Sequence, residues 1–338
     1  MTIVYAILMF AVLIFVHELG HFAAAKACKV KVNDFAIGMG PSVYKKTKGD
    51  TTYHIKAFPI GGFCAMEGED EESDDEGAFN NKNMWQKALI IVAGAFMNLI
   101  TALVLIIMVI YMVGTPSTTI DKTIAGSPAE RAGILPGDRV ISVENTKVKD
   151  WDDLTGLIND KGKKGRSFSI TVNRNSKPVT VKTHAEISKD GRALIGIYPK
   201  KERSLSTALI RGPKATWNMA RNMYGILKQL ITGKVAAKEM SGPVGIVYFV
   251  DKSVEQGFVS FLSLMALISL NLAIFNMLPF PALDGGRLLF IIIRRFTGGV
   301  ISDKAEGIVH AVGMILLLTL TVYVTWNDVI RFILPIFK

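Results

Sequence analysis

The sequence predicts a polytopic α-helical membrane protein, with four transmembrane helices and a soluble α+β block inserted between the second and the third. Three observations lead there. Half of the 338 residues are apolar and mean hydropathy is +0.34, yet charged residues still make up 20%. Those charges are unevenly spread, so apolar spans alternate with soluble segments. Four stretches approach or exceed the roughly 20 residues a helix needs to cross a bilayer.

Residues 1–28 give the first span, an apolar run broken by His17, Glu18, His21 and Lys26. Ala23-Ala24-Ala25 could end a cleaved signal peptide. No Lys or Arg precedes the run, however, and a disposable segment has no use for His17, Glu18 and His21, so a retained helix is expected. Residues 29–87 form a loop. Within it Thr51–Phe58 reads as a strand, Pro59–Gly62 as a turn and Phe63–Met66 as a return strand, a β-hairpin at about 51–66. Glu67–Glu76 holds eight acidic residues in ten and is expected to be a solvated loop.

The second span, 88–113, is 26 residues without a charge, and Gly257–Leu283 provides a third of 27. The fourth, 308–327, has His310 as its only ionisable group before Asn327, and residues 328–338 form a tail. Residues 201–256 are expected to be an amphipathic helix and a connector. Leu209, Trp217, Met223, Ile226 and Leu230 lie there among Arg211, Lys214, Arg221 and Lys228, a pattern suited to the headgroup plane or to packing on the soluble block.

Short-loop charge sets the orientation. Lys29 and Lys31 follow the first span, and Arg287, Arg294, Arg295 and Lys304 lie in the connection 284–307. The positive-inside rule puts both in the cytoplasm, and both termini outside. Thr115–Gln256 then lies outside although it carries the chain's whole excess of +10, as long domains translocate largely regardless of charge. No nucleic-acid motif accompanies that excess. Cys28 and Cys64 fall on the reducing side, so no disulfide is expected.

His17-Glu18-Leu19-Gly20-His21 carries the chemistry. Two histidines four apart share a helix face and can offer imidazole nitrogens to one Zn²⁺, with the intervening Glu18 as base toward a metal-bound water. A charge at mid-bilayer costs about 2.5–3.5 kcal/mol on insertion scales, so three such groups need a compensating partner. A catalytic zinc takes three protein ligands. Asp284, in Asn276-Met277-Leu278-Pro279-Phe280-Pro281-Ala282-Leu283-Asp284-Gly285-Gly286, is the better third ligand, with His310 the alternative. The two prolines forbid regular helix there, and irregular backbone at membrane depth lines a protein-buried or wet site.

Ser127-Pro128-Ala129-Glu130-Arg131-Ala132-Gly133 followed by Gly137-Asp138-Arg139-Val140-Ile141-Ser142-Val143 resembles a PDZ domain over 114–200, with Asn145-Thr146 where that family commonly has Asn-Gly. That resemblance implies a partly open β-barrel. HELGH, the PDZ signature and NMLPFPALDGG, in this order, resemble the site-2 protease family of intramembrane zinc metalloproteases. The type is the bacterial regulator of sigma-E protease with a single PDZ domain.

The resemblance implies one zinc on His17, His21 and Asp284, with Glu18 as catalytic base. It implies a membrane-associated hairpin that pairs with an extended substrate, and substrate contacts at Asn276, Asn271, Pro279, Pro281, Gly61 and Gly62. It further implies single-span membrane-protein substrates, pre-trimmed by another protease and often anti-sigma factors, in a bacterial cell membrane. Ser241–Gly245 and Gly94–Asn98 also match family positions; Ala95 replaces a common Pro and Arg287 a common His. A non-catalytic PDZ scaffold would be expected to have lost the zinc motif. A zinc carrier would be expected to repeat one half in the other.

Overall fold

The computed structural model describes residues 2–69, 73–163, 166–234, 241–297 and 303–334. The chain divides into two units, residues 1–109 with 212–338, and residues 110–211.

The first unit begins with α1 (Thr2–Ala27). Two long strands follow, β1 (Val32–Lys48) and β2 (Thr51–Met66), folded onto each other. Asp34 stands opposite both Thr52 and Ala65, Phe35 opposite Tyr53 and Cys64, and Ile37 opposite Ile55 and Gly62; Tyr44–Lys48 doubles back on Thr51–Ile55. The first half of β1 therefore lies between the two halves of β2, which leaves Gly62–Met66 as an edge. The chain reverses at Gly49–Asp50 and again, as expected, across Pro59–Gly62, since Thr52–Ile55 and Gly62–Ala65 run in opposite directions along Asp34–Ile37. The two limbs flank the first half of β1 instead of pairing with each other as a hairpin. Pro59 has no N–H for a ladder and Gly61 takes a φ of 88°, which suits the reversal there.

Val32, Phe35, Cys64 and Met66 bury against Ala25 and Cys28, next to Ile90 of α2 (Met84–Val113). Both cysteines are buried and unbridged. The acidic stretch is anchored where it is described. Glu67 accepts hydrogen bonds from Asn33 and Ser73, Asp75 from Lys31 and the Gly77 amide, and Glu69 pairs with Arg287. Residues 70–72 of the expected solvated loop lie outside the described residues.

In the second unit, β3 (Thr115–Thr123) precedes α3 (Pro128–Arg131), which is capped by the Ser127 hydroxyl. β4 (Arg139–Val143) and β5 (Thr146–Lys147) follow, joined by a tight turn in which Glu144 takes the left-handed φ of 53°. Next come α4 (Trp151–Gly162), β6 (Phe168–Arg174), β7 (Lys177–Thr183), β8 (Glu186–Ile187), β9 (Ala193–Leu194) and β10 (Ile197–Glu202). The main sheet runs β10-β3-β4-β6-β7, with β5 on β4. Alternation in β6 turns Phe168, Ile170 and Val172 into a core with Ile120, Ile134, Val140, Leu154 and Ile158.

The chain returns to the first unit along α5 (Leu205–Ile231). Met219, Ala220, Met223 and Leu227 pack on Ala102, Leu270 and Ile274, while Trp217, Tyr224 and Ile226 stay exposed. One face of this expected interfacial helix is thus committed to protein. The expected connector beyond it contains a further helix, α6 (Pro243–Glu255), whose Val250 packs with Ala6, Met9 and Leu13 of α1. Asp328 caps it from afar, accepting from the Gly242 and Gly245 amides at 2.8 Å each. α7 (Phe258–Asn276), α8 (Asp284–Thr297) and α9 (Asp303–Asp328) complete the unit, so the expected connection 284–307 is helical up to Thr297. Four helices, α1, α2, α7 and the one that includes α9, are long and apolar enough to cross a membrane.

Asp138 is the second unit's buried charge. It takes Arg174 Nε and Nη2 at 2.8 and 2.7 Å and the Leu135 amide at 2.9 Å. Burial works against its ionisation, but the Arg174 and Leu135 hydrogen bonds hold its carboxyl below the usual range. A depressed carboxyl stabilises the fold above its unfolded pKa of about 3.9 and loses that contribution as pH falls through the lower folded value. Asp138→Asn should therefore cost about 2–3 kcal/mol at neutral pH. The deficit against the native chain should shrink below about pH 4. Urea unfolding of the full chain, followed by pulse proteolysis at both pH values, measures it.

Candidate metal centre

Positions 17 and 21 fall on one face of α1, and their Nε2 atoms lie 3.2 Å apart. Asp284, the first residue of α8, brings Oδ2 to 3.3 Å from His17 Nε2 and 3.5 Å from His21 Nε2. That oxygen is buried and has no hydrogen-bond partner. Three donors at corners of a tetrahedron with bonds of about 2.0–2.1 Å stand about 3.3–3.4 Å apart, so the triangle has the size that one zinc requires. Among the described residues no other cluster of His, Cys, Asp and Glu has this form.

α2 holds the two imidazoles through three positions four residues apart. The Ile90 carbonyl lies 2.8 Å from His21 Nδ1, and Asn98 Nδ2 lies 3.5 Å from His17 Nδ1. Between them Gly94 leaves room for the rings: a β-carbon there would come within 2.3 Å of His21 Nε2 and 2.7 Å of His17 Cε1.

Glu18 faces the edge half of β2. A β-carbon at Gly62 would stand 3.3 Å from Glu18 Cγ. Asp284 is delivered by an irregular segment after α7. Phe280 N–H donates to the Leu278 carbonyl, Ala282 takes a φ of 73°, and Ala282 N–H donates to His310 Nδ1 at 2.8 Å. His310 is thus engaged with the backbone two residues before Asp284 and stands outside the ligand triangle.

Of the residues expected to touch substrate, Asn276 reaches the centre, with Nδ2 3.5 Å from His17 Nε2, and Gly62 lies beside Glu18. Gly61 packs on Met39, Pro281 on Gly313, and Asn271 and Pro279 are exposed. The roles of the Ile90 carbonyl and Asn98 escaped the sequence reading. A carbonyl leaves no trace in a residue type, but an asparagine in an uncharged span was a usable signal.

The match of residues 5–320 to the model of peptidase family M50 decides the family. The chain belongs to peptidase family M50, the site-2 proteases. A Clostridium acetobutylicum protein named in the zinc metalloprotease class is 39% identical to this M50 chain, covering 97% of each. A Clostridium perfringens protein named in the same class is 36% identical, over 98% of this chain and 99% of its own. The zinc metalloprotease RasP of Geobacillus kaustophilus is 30% identical over 98% and 99%. This M50 member is accordingly a zinc metalloprotease, and the donor triangle suits the ion.

The vacancy at Gly94 gives the centre its sharpest test. Gly94→Ala should displace both imidazoles and leave the purified protein with little zinc, as measured by metal analysis after gel filtration. An alanine at neighbouring Phe96, which is exposed, should leave zinc content unchanged.

Proposed function

We propose that this M50 protease cleaves peptide bonds within transmembrane segments of single-span proteins, with His17, His21 and Asp284 as its zinc ligands and Glu18 as its base. The observation that carries the proposal is the donor triangle with Glu18 beside it, built on a helix long and apolar enough to span a membrane. When bound, zinc lowers the pKa of a coordinated water to about 7 and polarises a peptide carbonyl. Glu18 takes the water's proton and later passes it to the leaving amine. Asn276 stands where its amide can donate to the substrate carbonyl.

A substrate helix hides its carbonyls in intrahelical hydrogen bonds and must unwind before cleavage. The Gly62–Met66 edge, membrane-associated on this reading, satisfies the freed backbone by strand addition. Residues 114–200 are read as a PDZ domain on the extracytoplasmic side, screening out substrates whose ectodomains have not been trimmed. Short-loop charges favour the same topology, with the metal centre toward the cytoplasm and both termini outside. Anti-sigma factors and remnant signal peptides are the substrate classes that fit.

Glu18→Gln keeps the ligands and removes the base. It should retain zinc while cleavage of a model transmembrane substrate falls at least about 100-fold. Undiminished cleavage would end the assignment of Glu18.

The third ligand is tested separately. Asp284→Ala should lose zinc, whereas His310→Ala should keep it, by metal analysis of the purified proteins. The reverse pattern would transfer the ligand role to His310.

A further inference from the structure

We propose that Asn98 is a positioning residue of the metal centre: its side-chain oxygen accepts the Nδ1 proton of His17 and so presents His17 Nε2 to the metal. The proposal rests on the ligand set proposed above. A neutral imidazole carries one proton, so a histidine that offers Nε2 as ligand keeps Nδ1–H, and that donor needs an acceptor when water is excluded. For His21 the acceptor is the Ile90 carbonyl at 2.8 Å. For His17 the neighbour is Asn98, with Nδ2 at 3.5 Å from Nδ1.

Asn98 is fully buried in a span that has no charged residue, and its Oδ1 lacks a donor. The carboxamide has nearly the same shape either way round. Turned by half a revolution, it sets Oδ1 opposite His17 Nδ1–H and gives the orphaned oxygen its donor. In the other orientation two N–H groups face each other, and burial of unmatched polar groups is costly. The Asn98 backbone is itself fixed, since its carbonyl accepts from Ser269 Oγ at 2.8 Å. One face of α2 then serves both ligands: a carbonyl at 90 for His21, an empty place at 94 for both rings, and an amide oxygen at 98 for His17.

Removing an outer partner of this kind typically weakens metal binding 10–100-fold. The experiment uses full-length protein in detergent and measures zinc affinity by competition with a chromogenic chelator. Asn98→Leu and Asn98→Ala, which have no acceptor, should bind zinc 10–100-fold more weakly than the native chain. Asn98→Asp restores an acceptor and should stay within about threefold. Ser269→Ala, which loosens the α2 contact without touching His17, should do the same. Native-like affinity in both Asn98→Leu and Asn98→Ala would overturn the proposal, as would an Asn98→Asp that falls as far as they do. Zinc retained at full affinity by His17→Ala would instead overturn the ligand set, which separates the two failures.

Discussion

At Gly20 an added β-carbon would stand 2.4 Å from the Ala93 carbonyl oxygen, and at Gly94 it would enter the imidazoles of His17 and His21. α1 and α2 therefore meet backbone to backbone. Small residues at such crossings are how helices approach closely where lipid supplies no hydrophobic drive. Everything in the centre depends on this approach. It brings the Ile90 carbonyl to 2.8 Å from His21 Nδ1 and Asn98 to 3.5 Å from His17 Nδ1. Were the helices a side chain further apart, the Nδ1 atoms of both histidines would lose these neighbours, and unmatched polar atoms in an apolar span are costly.

The third donor reaches the same place by the opposite means. α1 and α2 are regular where they matter, whereas Asp284 follows backbone that cannot be regular. Pro279 and Pro281 have no N–H to donate, and Ala282 takes the left-handed φ that side chains rarely adopt. His310 accepts the freed Ala282 N–H, and a β-carbon at Gly286 would lie 2.3 Å from the Phe280 carbonyl oxygen. The start of α8 is thereby tied to the segment that precedes it, and Asp284 is held facing His17 and His21.

Spans and the HExxH pair are legible from sequence because they depend on composition and on the helical period alone. Asp284 could be picked out as a candidate because two prolines break the helix just before it, and the structure brings it beside His17 and His21. β1 was not, since Val32–Lys48 includes Gly38, Gly40 and Pro41, which read as loop, and pairs with residues up to 34 positions away. The expected hairpin differs for a related cause. Pro59, Gly61 and Gly62 do reverse the chain, but the two limbs they join are separated by Asp34–Ile37, which pairs with both. Asp74, Asp75 and Glu76 are exposed, as a solvated acidic stretch should be, but the attachments of Glu67, Glu69 and Asp75 were not legible, because their partners Asn33, Arg287 and Lys31 are distant in sequence. What sequence reasoning missed is long-range pairing, in the sheet and in the hydrogen bonds around the ligands alike.

Long-range pairing also links the base to the sheet. Glu18 belongs to α1, yet its side chain lies against Gly62, on the edge half of β2. The inner side of that half is taken by Val32–Ile37, and its packing on α1 is fixed by Met66, Cys64 and Phe35 around Ala25 and Cys28. On the proposed reading, a segment added to this edge acquires its register from the same strand that lies against Glu18. Strand pairing has a period of two, and a shift by one residue reverses every side chain. The choice of peptide bond is then a matter of register along β2 more than of any pocket for a particular side chain. An enzyme built this way would select substrates chiefly by whether their helices can open into an extended strand.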